Sequence, residues 1–443
     1  MSAREDVLKY FREDRDFFKR TQAETDRNRK GDAEIFVLAA NGEPLREFAL
    51  EYRQTGHAYK FGTNVFMLDQ FETEAKNALY RKTLTETFNL ATLPCYWYAY
   101  EPEEGELRFK KDSRYIYRRP PVDATLDFCK EAGLEPKAHC LNYCYPEWAK
   151  KLTAKETRVA LERWFKAMAE RYRSKIPTFE VTNETLLYEG SAWATPFYED
   201  DDYVEWSFQT ARKHFPENRL MINEEWNALK LPRNNRNPYY MQIERILKND
   251  PDAPIDEIGF QFHAFCEREG ESELAKTMYN PEYITGILDL FARFGKPIQL
   301  TEMTVPAFFN EAEDEEVQAE LIENLYRLFF SHRAMDGIVY WNLVDGYTAH
   351  AALGDMTRGE NRYHGALMRF DMTKKPALKR LEGLFKKEWH SEGLIKNASG
   401  QAGFRGFAGD YELSVVKDGK KFESKFKLEK DGSSAVLRTG LEN

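Results

Sequence analysis

The sequence predicts an α/β fold, a (β/α)8 TIM barrel carrying a small accessory β-module formed by an N-terminal hairpin and C-terminal strands. Three observations carry this reading. Eight short β-branched or apolar stretches recur at intervals of roughly 30–45 residues, with helical periodicity between them. Alternating strand patterns bracket that region at both ends. Polar and acidic residues close several of the eight stretches, and the C-terminal ends of barrel strands are where functional side chains converge.

The elements follow in order. Residues 3–30 read as one charged helix with a narrow apolar stripe (Val7, Tyr10, Phe11, Phe17), stopped by Gly31. Phe36 and Leu38, an Asn41-Gly42 turn, then Phe48, Leu50 and Tyr52 give a β-hairpin pattern. Barrel strands are expected near 58–65, 89–96, 135–142, 177–183, 219–224, 257–263, 297–302 and 337–343. Helices over 155–173 and 316–330 carry apolar residues at three- and four-residue spacing. At the C-terminus, Tyr411, Leu413 and Val415 alternate with polar residues, Asp418-Gly419 makes a turn, and Phe422, Phe426 and Leu428 alternate with lysines. This β-module, about 398 to 440, is expected to pack against the N-terminal hairpin, because neither piece alone buries much. Its aromatics fall on the inward face, which favours packing over glycan binding. The expected division is 1–56 for the N-terminal helix and hairpin, 57–390 for the catalytic barrel and 391–443 for the C-terminal module.

Composition sets outer bounds. A chain of 443 residues, 42% hydrophobic, can bury one large barrel core and an accessory piece. A formal net charge of −10 argues against nucleic acid or an anionic membrane as the main partner. No apolar run approaches the roughly 20 residues of a membrane span. The start, MSAREDVLKYFREDRDFFKR, lacks the apolar region of a signal peptide and points to the cytoplasm. Secretion with the leader absent is the alternative. Five cysteines, Cys95, Cys129, Cys140, Cys144 and Cys266, form no regular framework and fit reduced thiols. Oligomeric state is left open.

Two segments carry the chemistry. Phe179-Glu180-Val181-Thr182 leads to Asn183-Glu184, and Ile298-Gln299-Leu300-Thr301 leads to Glu302. Two glutamates facing each other across one pocket are enough to hydrolyse a glycosidic bond, and in a retaining mechanism they stand roughly 5–5.5 Å apart. Glu302 suits the nucleophile and Glu184 the acid/base. Asn183 suits a hydrogen bond to a sugar 2-hydroxyl, and His263 suits orienting Glu302. His139, Tyr143, Asn223, Gln261 and Trp341 lie at or beyond strand ends and are the candidate substrate contacts. Structural roles compete with each: a satisfied core histidine for His139 or His263, a strand cap for Asn223 or Glu225, a core aromatic for Tyr143 or Trp341. His139, Cys140 and Cys144 do not make a metal site, because a strand sends His139 and Cys140 to opposite faces. The acidic run Glu199-Asp200-Asp201-Asp202 lacks a fixed ligand spacing and reads as a solvated loop.

In combination these segments resemble family 10 glycoside hydrolases, typified by endo-β-1,4-xylanases, over about residues 57–385. Phe179 to Glu184 resembles the family's acid/base strand and Ile298 to Glu302 its nucleophile strand. Ile258-Gly259-Phe260-Gln261-Phe262-His263 is similar to the Gln-x-His strand between them. Lys137-Ala138-His139 with Pro146-Glu147-Trp148 is similar to its third strand and loop. Phe88-Asn89, Trp97 and Glu101-Pro102 follow its second strand, Tyr340 to Asp345 its last, and Phe370-Asp371 with Lys375-Pro376-Ala377 its closing segment. The resemblance implies a barrel, retention of configuration, a carbohydrate substrate and no required cofactor. Three departures concern the sugar grip. Leu93-Pro94-Cys95-Tyr96 stands where the family usually has a Glu-Asn pair and a Lys. Tyr143 and Cys144 replace a Trp and a His, and Ala349 replaces a second Trp. The expected function is therefore retaining hydrolysis of a xylan-like or other plant-type β-glycan, with plain xylan disfavoured and a larger or decorated sugar favoured. Hydrolysis of small β-glycosides and non-catalytic carbohydrate binding are the alternatives.

Overall fold

The computed structural model describes residues 4–186, 195–226, 233–250, 253–309 and 311–443. Two strands come first, β1 (Lys30–Leu38) and β2 (Phe48–His57). Eight follow: β3 (Lys60–Asn64), β4 (Leu90–Pro94), β5 (Glu135–His139), β6 (Thr178–Asn183), β7 (Arg219–Glu225), β8 (Glu257–His263), β9 (Ile298–Thr304) and β10 (Met335–Tyr340). Five more close the chain: β11 (Glu392–Ala398), β12 (Gln401–Phe407), β13 (Gly409–Lys417), β14 (Lys420–Leu428) and β15 (Ser433–Arg438).

Strands β3 to β10 close into a barrel in sequential order, with β10 beside β3. All eight fall where the sequence places them, and the fold is the expected (β/α)8 TIM barrel. Strands β6, β8 and β9 are buried along their whole length, so polar residues within them must find partners inside the barrel. Helix Ala154–Tyr172 opens on a Thr153/Glu156 capping box and buries Ala160, Leu161, Trp164, Phe165 and Met168, the stripe read from the sequence. Helices Pro238–Asn249 and Pro281–Phe291 each begin with a proline in the first turn, after an asparagine whose side chain accepts backbone N–H bonds. Among the described residues no helix is long and apolar enough to cross a membrane.

Two breaks in pairing aim the strand ends. The β6–β7 register skips between Glu180 and Thr182, and the β8–β9 register skips so that Phe260 faces Leu300 while Gln261 faces Glu302. Each is a bulge, which turns successive side chains out of strict alternation. Opposite Asn223 stands Gly259, where an added Cβ would sit 2.5 Å from Asn223 Oδ1 and 2.8 Å from Thr301 Cγ2.

The chain divides into two units. One comprises Met1–Asp14, Phe61–Tyr326 and Ala334–Leu378, and the other Arg15–Lys60, Arg327–Arg333 and Lys379–Asn443. In the second, β12-β1-β15 and β11-β2-β13-β14 form two sheets around a core that includes Ile35, Val37, Phe48, Leu50, Tyr411, Leu413 and Phe426. Phe422 packs against that core. Asp418 and Gly419 join β13 to β14 with φ of 49° and 75°, the two left-handed positions a tight hairpin turn needs.

Two local expectations are corrected. The two N-terminal strands do not form a hairpin ladder: β1 pairs with β12 and β15, and β2 with β11 and β13. Each carries an apolar face, and placing the strands in opposed sheets buries both faces in one core. The N-terminal helix is interrupted, with helix Lys9–Glu13 ending at a non-helical Asp14 and a second helix spanning Phe17–Arg29. The two pieces belong to different units: ahead of the break the Arg4 guanidinium is buried against Glu271 and Asp314 of its own unit, and beyond it Phe17, Thr21 and Thr25 are buried. Gly31 is no helix stop. It lies within β1, where a Cβ would come 2.1 Å from the carbonyl oxygen of Glu429.

Gly259→Ala is expected to destabilise the barrel by about 1–3 kcal/mol, the usual cost of overpacking, because neither Asn223 nor the β7 backbone has room to retreat. Chemical denaturation of the variant checks this, and unchanged stability would show that the space is more forgiving than the geometry indicates.

Candidate active site

Glu184 and Glu302 line one cavity of about 360 Å3. Asn183, Gln261, His263, His139, Tyr143 and Trp341 line it too, so eight of the nine residues singled out from the sequence share its wall. The ninth, Asn223, was expected to contact substrate. It has no exposed surface and stands behind the wall.

The carboxylates are linked through amides. Gln261 Nε2 donates to Glu184 Oε1 and to Asn183 Oδ1, each at 2.9 Å. Asn223 Nδ2 donates to Asn183 Oδ1 at 2.7 Å and reaches Glu302 Oε1 at 3.4 Å, while Thr301 Oγ1 donates to Asn223 Oδ1 at 2.6 Å. The bulge in β9 lets Thr301 and Glu302 both serve this network. Glu184 follows the end of β6 with φ of 52°, so Asn183 and Glu184, though consecutive, both reach the cavity. The Tyr143 hydroxyl donates to Glu184 Oε2 at 2.8 Å.

Around Glu302 basic side chains and carboxylates alternate. His263 Nε2 lies 3.2 Å from Glu302 Oε2, and its Nδ1 lies 3.0 Å from Thr304 Oγ1. His139 Nε2 lies 3.8 Å from Glu302 Oε1. The other nitrogen of His139 meets Glu180 Oε2 at 2.5 Å, and Lys137 Nζ meets Glu180 Oε1 at 2.5 Å. Burial raises the Glu302 carboxyl above its ordinary range, opposed by the hydrogen bond from His263 and the charges of both histidines. Burial also works against charge on His263 and His139, yet both end up raised, His263 by Glu302 and His139 by Glu180. Glu180 is fully buried and would be raised by that alone, but Lys137 and His139 bring it down to about 2.

Aromatic rings frame this centre. Trp341 packs edge-on against His139 and His263 with centroids 5.6 and 6.0 Å apart, and Phe265 stacks on His263 at 4.7 Å. Phe66 and Tyr96 line the cavity near His139, with centroids 6.4 and 5.2 Å from it. Such faces suit the apolar C–H surfaces of a sugar ring, and the amides and carboxylates suit its hydroxyls.

Several lining residues were not singled out. Glu225 closes β7 and its carboxyl is raised by burial; the sequence left it open between a functional role and a strand cap. Arg118, Arg119 and Glu360 come from segments between strands, where no period marks a side chain as inward. Neighbouring Glu224 points away from the cavity. It accepts the backbone N–H of Leu186 at 3.0 Å, and burial lifts its carboxyl to about 8.

Two linked glutamates at the strand ends of a barrel are the arrangement that the class of glycoside hydrolases uses. The family model "Glycosyl hydrolase family 10" matches residues 52–382, and the chain belongs to that family. Among curated relatives, the anti-sigma-I factor RsgI6 of Acetivibrio thermocellus is 25% identical over 418 residues, 93% of this chain and 48% of its own length. Endo-1,4-beta-xylanase 2 of Arabidopsis thaliana is 25% identical over 344 residues, 76% of this chain and 28% of its own length. The chain thus spans less than half the length of these relatives. Native xylanase 10B from Thermotoga maritima shares the fold with a TM-score of 0.58 at 20% identity, over 75% of this chain and 96% of that one. Xylanase 10B from Thermotoga petrophila RKU-1 in complex with xylobiose gives a TM-score of 0.57 at 20% identity, over 75% of this chain and 95% of that one.

The low Glu180 value has a consequence for acid stability. A carboxyl depressed on folding contributes stability above its ordinary value of 4.5, and loses it as pH falls toward about 2. Wild type is expected to lose on the order of 3 kcal/mol more than Glu180→Gln across that window. Urea unfolding of both proteins between those limits measures the difference, and parallel pH profiles would remove Glu180 as the cause.

Proposed function

We propose that the chain is a retaining hydrolase of β-1,4-glycosidic bonds in a xylan-like or other plant-type β-glycan, or in oligosaccharides derived from one. The observation that carries this reading is the pair Glu184 and Glu302 on one cavity, joined through Gln261, Asn183 and Asn223. Family membership supports hydrolysis of a glycosidic bond, and the xylanase names of the relatives support the β-1,4-xylan type.

In the first step Glu302 Oε attacks the anomeric carbon, and the bond to the leaving oxygen breaks as Glu184 gives that oxygen its proton. A glycosyl ester on Glu302 and a free alcohol result. In the second step Glu184, now a carboxylate, takes a proton from water, whose oxygen attacks the anomeric carbon and releases Glu302. Two inversions give net retention. His263 and His139 favour the ionised form of Glu302 that the attack needs, against the burial that raises its carboxyl. Asn183, fixed by donors from Gln261 and Asn223, keeps its amide nitrogen for a sugar hydroxyl.

Glu302→Ala is expected to lose at least about a thousandfold in turnover of an activated aryl β-glycoside, with azide restoring part of the rate and giving the inverted glycosyl azide. Full activity in that variant would refute the assignment.

Glu184→Ala is expected to lose far more rate on substrates with poor leaving groups than on those with good ones, because only the former need protonation. A leaving-group series measures this, and equal losses along it would remove Glu184 as the acid.

A further inference from the structure

The cavity is electrically divided. Glu184, Glu225 and Glu302 enter it from β6, β7 and β9, whereas Arg118 and Arg119 enter from the segment between β4 and β5. The two arginine residues are only 4% and 8% exposed, so their charge is largely desolvated. Their hydrogen bonds run to neutral acceptors. Arg118 donates to the Tyr347 carbonyl and, at 3.3 Å, to Asn342 Oδ1, and its Nε has no partner. Arg119 donates to the Tyr98 hydroxyl at 3.0 Å and to the Arg118 carbonyl at 2.8 Å.

Among the described residues neither arginine forms a carboxylate ion pair, unlike buried Arg4, Lys137 and Lys375, which pair with Glu271, Glu180 and Asp345. Arg108 also lacks one, but it lies outside the cavity lining and donates to the carbonyls of Arg114 and Arg119. The carboxylate acting most strongly on Arg118 is Glu360, which is bridged to it by Asn342. Two adjacent, nearly buried cations are costly unless something anionic meets them.

Position narrows the choice of anion. The Arg119 guanidinium lies 4.1 Å over the Tyr96 ring, Tyr96 packs on His139 with centroids 5.2 Å apart, and His139 lies 3.8 Å from Glu302. The arginines therefore stand beyond the reacting centre, beside the Leu93–Tyr96 stretch that lacks the expected Glu-Asn pair and Lys. Phe66 offers an aromatic face there, with both guanidinium carbons within 5.4 Å of its centroid.

We propose that this end of the cavity is a subsite for a sugar bearing a carboxylate, a uronic acid residue of the glycan or a uronic acid branch on it. The proposal rests on the hydrolase reading above and specifies its substrate class. A guanidinium pair meets a carboxylate with charge-assisted hydrogen bonds that a neutral hydroxymethyl group cannot replace.

The test uses a glucuronic-acid-substituted β-1,4-xylo-oligosaccharide and the same compound with its carboxyl reduced to the alcohol. Wild type is expected to favour the acid by about tenfold or more in kcat/KM, with the preference shrinking as salt rises. In Arg119→Gln the ratio should collapse toward one, and Arg119→Lys should keep part of it. Equal kcat/KM for the two compounds with wild type would overturn the proposal, and this arm depends on no variant folding. If wild type cleaves no β-glycoside at all, the hydrolase reading fails. Calorimetry of the same two compounds then decides the subsite alone, tighter binding of the acid supporting it and equal binding overturning it.

Discussion

A buried carboxylate set between two histidines, Glu302, governs this site. Burial alone raises the Glu302 carboxyl and so disfavours the ionised form that the proposed nucleophile needs. Two histidines oppose that tendency, and one of them, His139, is itself raised by Glu180 against its own burial. Glu180 in turn sits against Lys137. The result is a line in which basic side chains and carboxylates alternate, Lys137, Glu180, His139, Glu302 and His263, drawn from β5, β6, β9 and β8. No member is affordable without its neighbours, because breaking a buried pair leaves an uncompensated charge.

The barrel supplies this line through register. Lys137 and His139 are two apart on β5, and Gly259, Gln261 and His263 are two apart on β8, so each set shares a face. Bulges in β6 and β9 then change phase near the rim, which allows Thr301 to serve Asn223 while Glu302 reaches the cavity. Gly259 leaves the space that Asn223 fills. Chemistry and packing are thus coupled through Asn223, which touches no cavity space yet fixes Asn183 and approaches Glu302.

The legible part of the molecule follows from this. Barrel strands carry a local signature, a short apolar run ending in a polar residue, and all eight could be read at the correct places. Eight of the nine chosen site residues lie on the cavity because strand ends converge by construction. Asn223 was misjudged since alternation gives the face of a side chain and not its depth. The partners of β1 and β2 were hidden because their pairing joins segments more than 300 residues apart, and no local pattern chooses among several C-terminal strands. Arg118 and Arg119 were hidden for a different reason: a long irregular connection has no period by which to tell inward from outward.

That division separates two questions about the reaction. The residues proposed to make and break the bond sit on strands or immediately after them, where a closed ladder fixes their geometry. Residues that would choose the sugar come from connections: Phe66 after β3, Tyr96 and Tyr98 after β4, Arg118 and Arg119 before β5, and Ala349, His350 and Glu360 after β10. A connection can change length or charge without disturbing the ladder. Family resemblance carried by strand segments therefore bears strongly on how a bond is cut and weakly on which bond is cut. In this chain the second question turns on loop-borne cations that the strand pattern does not encode.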